Sequence, residues 1–448
     1  MYAVIKRELA DVWLGFFVWI GPNRALAQSA RRKGTENFAI IAAGALPWST
    51  SVASACGLAV LIGFLTTVKP AAFFRSLEHP ASMAALGLCF VAVLGVFWAV
   101  DLSWSERLRG LTPIGKFWLI PVLIYLFSQS DRGRYVFYAF VASCTVLMLY
   151  SWVVLYWPDL SIHYKSDQPG VPVKNYIDQS QGFTFCAFSL AAVAVESLRR
   201  QQRAIAVSAA LIAIALLANL AFVNVSRTAL VYSPVLTALF AYRYLDRRKF
   251  WIAFPVLLAA LAGLWAISPN LQHKISAALT EYRTPKTEQG PTSVGQRLEL
   301  WTKSIEFFKA APIIGHGTGS AKPLFVRDAG GQTNLPTGII GNPHNQTLLF
   351  AIQWGLFGVM ALYAMWIVHL ITFRGKDIVA WIGLVAVVQN ILSSLFNSHL
   401  SDFYQGWLYV LAVGIAAGTT AARTPGVLLP RYECSGDRSV HKQASAPS

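Results

Sequence analysis

Runs of about 20 predominantly apolar residues, the length a helix needs to cross the hydrocarbon core of a bilayer, recur along most of this 448-residue chain. The pattern predicts membrane-spanning helices near residues 52–68, 82–100, 112–127, 133–157, 182–198, 204–223, 228–245, 250–268, 346–373, 377–397 and 405–421. The shorter run 37–48 is either a twelfth span or half of a bent hairpin with 52–68. We therefore predict an all-α polytopic membrane protein with about 12 transmembrane helices.

The composition agrees with this pattern, because 55% of the residues are hydrophobic and only 13% are charged. Soluble domains usually carry about 25% charged residues, so an ordinary soluble enzyme is excluded, and so is a disordered chain. The formal net charge of +16 alone would suggest a nucleic-acid partner. In a chain this apolar, basic residues more often mark cytoplasmic loops and lipid headgroup contacts. We expect membrane lipids, and no nucleic acid, among the partners.

The positions of the basic residues also predict the orientation of the chain. With the N-terminus inside, most loop lysines and arginines fall in segments that face the cytoplasm. The short loops on the opposite side contain only Arg107, Arg109, Lys165, Lys174 and Arg227. Short loops rich in Lys and Arg stay on the cytoplasmic side. Both termini are therefore predicted to be cytoplasmic.

The hydropathy pattern divides the chain into four parts. Residues 1–268 hold nine predicted transmembrane helices with short loops, and residues 346–421 hold three more. Between them, residues 269–345 form one large extracytoplasmic loop, and residues 422–448 form a cytoplasmic tail. Loops longer than about 12–15 residues without structure of their own are usually functional or disordered.

The large loop does not have the composition of a disordered segment. Between residues 293 and 309, apolar residues recur at steps of three and four, which predicts an amphipathic helix with an apolar face of Leu298, Trp301, Ile305 and Phe308. A glycine-rich stretch, residues 314–320, follows Pro312. It lacks the lysine of a phosphate-cradling loop and follows no predicted strand, so we do not expect it to bind a nucleotide.

Three basic residues are candidates for binding a phosphorylated substrate. Arg227 lies in a tight extracytoplasmic connection, Arg297 begins the amphipathic helix, and Lys116 falls about one turn into the span 112–127 at its outer end. Arginine presents a planar fork that binds phosphate oxygens in pairs, and lysine presents a point charge. Such groups, converging at the outer edge of the bilayer, would suit a lipid-linked diphosphate. The alternatives are a lipid headgroup contact for Arg227, a solvated helix face for Arg297 and snorkelling for Lys116.

His344 is the candidate general base. It stands where the large loop meets the span that begins near Gln346, and a neutral imidazole there can accept a proton from a hydroxyl group. The alternative is a structural histidine or a helix cap, and Asn345 is the other candidate cap. Four histidines with weaker local patterning are predicted to face the same compartment: His316, His273, His399 and His163.

Four short motifs follow one another in the C-terminal half of the chain: Val225-Ser-Arg-Thr228, Arg297-Leu-Glu-Leu-Trp301, Pro312-Ile-Ile-Gly-His-Gly317 and Pro343-His-Asn345. In this order, and on one predicted side of the membrane, they resemble the O-antigen ligase family. That family belongs to a wider group that also holds O-antigen polymerases and protein O-oligosaccharyltransferases. The single large loop and the modest chain length favour the ligase.

The resemblance implies a GT-C-like glycosyltransferase with its active site on the periplasmic face of a Gram-negative inner membrane. The donor would be an O-antigen polysaccharide on undecaprenyl diphosphate, and the acceptor a sugar hydroxyl of lipid A-core. His344 would be the catalytic base, and Arg227 and Arg297 would bind the diphosphate. Lys116 and Asn345 are further site candidates, inferred from position alone. The resemblance implies no cofactor and no metal, in keeping with outer loops that carry no acidic constellation.

Other functions stay open at this stage. An O-antigen polymerase or a protein O-oligosaccharyltransferase would use the same type of donor with another acceptor. A transporter or flippase would also have about twelve spans, but transporters place binding residues near the bilayer midplane and often contain repeats. Here the unexplained polar residues gather at one outer edge and the two halves show no symmetry. A membrane scaffold would not need Arg227, Arg297 and His344 to face one compartment.

Overall fold

The computed structural model describes residues 24–99, 101–162, 168–246, 262–284, 286–287, 290–330 and 341–423, and the single residues 248, 251, 255 and 259. The first part is helical, with α1 (Arg24–Ala45), α2 (Thr50–Thr67), α3 (Pro70–Leu77), α4 (Pro80–Leu94), α5 (Trp104–Gly110), α6 (Thr112–Gly115), α7 (Leu119–Phe127), α8 (Gly133–Tyr156), α9 (Tyr176–Arg199), α10 (Arg203–Phe222) and α11 (Arg227–Tyr244). Short 3-10 helices lie at Lys116–Trp118 and Pro158–Leu160.

The C-terminal part begins with α12 (Pro269–Arg283), which a small antiparallel pair of strands, β1 (Lys286–Thr287) and β2 (Gly290–Pro291), separates from the next helix. Five helices follow: α13 (Ser293–Ala310), α14 (Ala321–Asp328), α15 (Gln346–Thr372), α16 (Ile378–Ser393) and α17 (Phe403–Arg423). Of the predicted spans, 250–268 falls partly outside the described residues.

Several of these helices are suited to a bilayer, which confirms a multi-pass, all-helical membrane protein. Within the described ranges, six are long and apolar enough to cross a membrane: Thr50–Thr67, Trp104–Phe127, Gly133–Tyr156, Tyr176–Arg199, Arg203–Phe222 and Gln346–Thr372. The pair α3 and α4 adds a seventh only if it is one span, bent by 81°. The total of about 12 spans, the division into four parts and the placement of residues 269–345 outside the membrane therefore stay predictions.

Two buried side chains of α16, one of them aromatic, hold this helix against α9. The indole N–H of Trp381 on α16 donates to the Phe188 carbonyl of α9 at 2.9 Å, and Gln389 of α16 donates to the Gln181 carbonyl of α9 at 2.8 Å. A buried indole N–H needs such a partner. These bonds fix α16 against α9, so the loop that follows α16 is held above the N-terminal part of α9.

The amphipathic helix predicted in the large loop exists as α13, but its buried face is not the one expected. Leu298 and Ile305 are exposed, whereas Leu300 and Ser304 are buried. Residues 300, 304 and 307 lie on one side of the helix, and α13 packs against α15. Ser304 can be buried there because its hydroxyl donates to the Leu300 carbonyl at 2.6 Å.

The glycine-rich stretch 314–320 has a structural role. Gly315, Gly317 and Gly319 all adopt positive φ angles. The backbone N–H groups of His316 and Gly317 donate to the carbonyls of Ile352 and Gln353 on α15, at 2.9 and 2.8 Å. The helix can accept these bonds because Gly355, with φ 58° and ψ −146°, interrupts it. The stretch thus docks into a break in α15.

We expect Gly317→Ala to reduce the free energy of unfolding by about 2–4 kcal/mol. Gly317 has a φ of 89°, and an added Cβ would lie 2.5 Å from the Cα of Ala99. Thermal unfolding in detergent will measure the loss. Gly87→Ala is the matched control, because nothing lies within 4 Å of a Cβ at that helical position. An unchanged melting temperature for Gly317→Ala would contradict the tight docking.

Candidate functional site

Arg227 begins α11, and its guanidinium group forms an ion pair with a carboxylate. The helix is capped by Ser226, whose hydroxyl accepts from the Ala229 N–H. The guanidinium group of Arg227 forms a two-pronged ion pair with Glu281 of α12, in which Nη1 donates to Oε2 at 2.9 Å and Nη2 donates to Oε1. Glu281 Oε2 also accepts from the Val294 N–H at the start of α13. This pair therefore links α11, α12 and α13.

Arg297 lies in the same electrostatic environment. Burial lowers the pKa of its guanidinium group, Tyr176 and Glu281 oppose that shift, and the charge of Arg227 adds to it. The pKa of Glu281 is in turn lowered, first by its hydrogen bond from Arg227 and also by the charge of Arg297. The two arginines predicted from the sequence thus both interact with one carboxylate.

His344 lies near Arg297 because α13 holds the turn that carries it. Trp301 of α13 donates from its indole N–H to the Pro343 carbonyl at 2.9 Å. Arg297 and Trp301 are four residues apart, so they share one face of the helix. Burial lowers the pKa of His344 below its ordinary value, the hydrogen bond to Asn397 opposes that shift, and the charge of Arg297 adds to it. The structure thus brings Arg227, Arg297 and His344 into one cluster.

The backbone of His344 is held in an uncommon conformation. Its φ is 50°, in the left-handed region that few residues other than glycine, asparagine and aspartate adopt. The His344 N–H donates to Asn342 Oδ1 at 2.9 Å, and the Ser398 hydroxyl donates to the same oxygen at 2.6 Å. The ring nitrogen Nδ1 lies 2.7 Å from Asn397 Oδ1. A non-glycine residue that is held at positive φ by hydrogen bonds to both its backbone and its side chain is typical of a functional turn.

Asn345 and Lys116 have structural partners. Asn345 caps α15 by accepting from the Leu348 N–H at 3.0 Å, and its amide donates to the Leu395 carbonyl. Lys116 donates to the backbone carbonyls of Ser401 and Asp402, at 3.1 and 2.6 Å. Both side chains therefore support the segment 394–402 between α16 and α17, and a direct role for either in binding the substrate stays a prediction.

Sequence patterns missed several groups of this cluster. Glu281 lies 54 residues from its partner Arg227, and Asn397 lies 53 residues from His344. Lys274 of α12 is close enough to Arg227 for that charge to lower its pKa, after the larger effect of burial, and its Nζ lies 4.8 Å from the ring centre of Tyr176. His399 is one of the four histidines with weaker local patterning in the sequence. Another of them, His163, lies outside the described residues. One signal could have pointed to Asn397 and His399. Three adjacent polar residues, Asn397, Ser398 and His399, follow an apolar helix.

The arrangement favours binding of an anion. Arg227 interacts electrostatically with two further cations, Lys274 and Arg297, and with one carboxylate, Glu281, so the cluster is cationic even after its ion pair is counted. In the part of the chain that the structure describes, no group of three or more His, Cys, Asp or Glu side chains is placed to hold a metal ion. A cationic cluster with a histidine at its edge has the chemistry to bind an anion and to accept a proton.

Comparison with known proteins agrees with this class. A family model described as O-antigen ligase matches residues 212–363, a region that contains Arg227, Arg297 and His344. The match agrees with the resemblance drawn from the four motifs: this region of the chain is similar to the O-antigen ligase family. No curated protein matches the chain. The family match supports an enzyme that transfers lipid-linked glycans, of the O-antigen ligase or polymerase type.

Proposed function

We propose that the protein is an O-antigen ligase, which transfers O-antigen polysaccharide from undecaprenyl diphosphate to a sugar hydroxyl of lipid A-core. The convergence of Arg227, Arg297 and His344 within the matched region carries this proposal. In its full form, the protein has about 12 spans, both termini in the cytoplasm and a site that faces the periplasm from the inner membrane.

The arginines act on the leaving group. Transfer breaks the bond between the anomeric carbon and the diphosphate, and the electron pair of that bond leaves with undecaprenyl diphosphate. Preorganised donors aimed at this developing charge stabilise the transition state. Arg297 and Lys274 add to the positive potential at Arg227, where Glu281 already occupies two N–H donors. A guanidinium group has five such donors, so Arg227 keeps donors for a phosphate oxygen.

His344 acts on the acceptor. The acceptor hydroxyl oxygen attacks the anomeric carbon while its proton moves to the imidazole, which makes the oxygen a better nucleophile. Burial holds the pKa of His344 below its ordinary value, so the ring is neutral and able to accept that proton at neutral pH. Activity is expected to rise as pH increases through this pKa, since only the unprotonated ring is a base. A single displacement of this kind inverts the anomeric centre.

Reconstitution tests the proposal. Purified protein in liposomes is supplied with lipid-linked O-antigen and with lipid A-core, and the product is detected as a ladder of lipopolysaccharide bands. The expected result is polymer attached to core without added nucleotide.

The alternatives give different products. A polymerase joins one lipid-linked glycan to another, and a protein O-oligosaccharyltransferase glycosylates a protein acceptor. A deletion strain separates the same cases, because loss of a ligase leaves the core bare, whereas loss of a polymerase still allows one repeat unit to be attached. One attached repeat unit in the deletion strain would contradict the ligase assignment.

A further inference from the structure

The side chain of Asn397 determines which nitrogen of His344 carries the proton. Asn397 Oδ1 lies 2.7 Å from His344 Nδ1, and it also accepts from the Ser398 N–H at 3.0 Å. Because a backbone N–H can only donate, the atom facing it must be the amide oxygen. An oxygen that only accepts requires a proton on Nδ1. In the neutral ring, Nε2 is then the nitrogen with the free lone pair.

The Ser398 N–H fixes the orientation of the Asn397 amide, and His399 contacts the other end of that amide. Asn397 Nδ2 lies 3.1 Å from His399 Nε2, and because an amide nitrogen only donates, Nε2 of His399 accepts. His399 is fully buried, and its Nδ1 lies 3.1 Å from Nε2 of the buried residue Gln181. A neutral imidazole accepts at one nitrogen only, so this tautomer of His399 requires the Gln181 carboxamide to be turned with its oxygen toward Nδ1–H. A buried polar chain of this kind runs from α9 to His344.

We propose that Asn397, oriented by the Ser398 N–H and contacted by His399, is a positioning residue that keeps His344 in the tautomer able to accept a proton at Nε2. This inference rests on the proposed function for its catalytic meaning, but the tautomer itself is a property of the protein. If the Asn397 amide rotated, its NH₂ group would face Nδ1 and would require the opposite tautomer. The proton would then sit on Nε2, which could no longer act as the base. Rotation would also set the Asn397 NH₂ group against the Ser398 N–H, so that two donors would face each other, and this contact opposes it.

The groups that influence protonation of His344 come from two elements. Arg297 lies on α13, and His399 and Asn397 belong to the segment after α16. Arg227 and Glu281 interact with Arg297 in turn. Of these, Asn397 is the one that bonds to the ring.

Nitrogen NMR tests the tautomer directly. Protein labelled with ¹⁵N-histidine in nanodiscs should show His344, assigned by the signal lost in His344→Asn, with a protonated Nδ1 and an unprotonated Nε2 at neutral pH. In Asn397→Ala this preference should disappear. A protonated Nε2 in the wild-type protein would overturn the proposal, whether or not the protein proves to be a ligase.

Kinetics test the consequence for transfer. We expect Asn397→Ala and His399→Ala to lower kcat by about 10²-fold with a nearly unchanged KM for the donor, because the base is present but misaligned. Asn397→Asp should retain most activity, since a carboxylate also accepts from Nδ1–H. Its negative charge should raise the pKa of His344, so the acidic limb of the pH–rate profile should move to higher pH.

A buried histidine remote from the site provides the matched control. His369 is bonded at both ring nitrogens, to the Tyr409 hydroxyl and the Ala81 carbonyl, and lies on α15 far along the helix from His344. His369→Ala should lower the melting temperature but leave the pH profile unmoved. One outcome is that the wild-type enzyme transfers glycan while Asn397→Asp leaves the acidic limb in place and Asn397→Ala keeps kcat. In that case the positioning role of Asn397 is wrong, and the ligase assignment stands. If the wild-type enzyme transfers nothing, the assignment fails, and the NMR result alone decides the tautomer.

Discussion

Replacement of His344 by alanine is expected to lower kcat for glycan transfer by about 10²–10⁴-fold, the usual contribution of a general base. His344 has a φ of 50°, and alanine is strained in that region by about 1–2 kcal/mol. His344→Asn is therefore the more informative variant, because asparagine tolerates this conformation and preserves the turn. Single-turnover transfer from lipid-linked donor to lipid A-core measures the effect.

The exposed histidine of α12 serves as the control for this experiment. His273→Ala removes an imidazole from the same region without touching the cluster, and its kcat should equal that of the wild type. Transfer by His344→Asn at more than a tenth of the wild-type rate, with normal thermal stability, would remove His344 from the mechanism.

Loss of Arg297 is expected to lower kcat by about 10²–10³-fold, the effect of removing one donor that stabilises developing charge. Arg297→Lys keeps the charge but loses the planar fork, so its effect should be intermediate. Arg283→Ala is the matched control, because Arg283 is an exposed arginine in the last turn of α12. Unchanged transfer by Arg297→Ala would contradict the proposal that Arg297 binds the diphosphate.

Arg227 requires a double variant because it has two roles. Arg227→Ala removes a diphosphate ligand and also breaks the ion pair with Glu281 that joins α11 to α12. If only the ion pair matters, Arg227→Ala with Glu281→Ala should recover transfer, since no unpaired carboxylate is left. If Arg227 binds the diphosphate, the double variant should remain as impaired as the single one.

Much of the helical fold was predictable because apolar runs have the length of a membrane span. The helices α8, α9, α10 and α15 lie close to the spans predicted for them. Hydropathy does not report backbone direction, so it missed the 81° bend between α3 and α4. It also misjudged the buried face of α13, because a serine bonded to its own helix backbone can replace an apolar residue there.

The site was predictable only where its residues lie in recognisable motifs. Arg227, Arg297 and His344 stand in three of the four motifs that resemble the O-antigen ligase family, and the structure brings them together. Glu281 and Asn397 stand in no motif, and each meets its partner only after distant helices have packed. The partners of such residues are set by tertiary contacts, so no local sequence pattern predicts them.

The docking of the glycine-rich stretch into α15 limits how a bulky acceptor reaches the site. The carbonyls of Ile352 and Gln353 are satisfied by this stretch, and in a bilayer no water would replace it if it withdrew. We therefore expect the stretch and the part of α15 before Gly355 to stay together during turnover. Any movement that admits a lipid-borne oligosaccharide must therefore occur elsewhere than between the stretch and α15. A cysteine crosslink between the stretch and α15 should leave turnover unaffected.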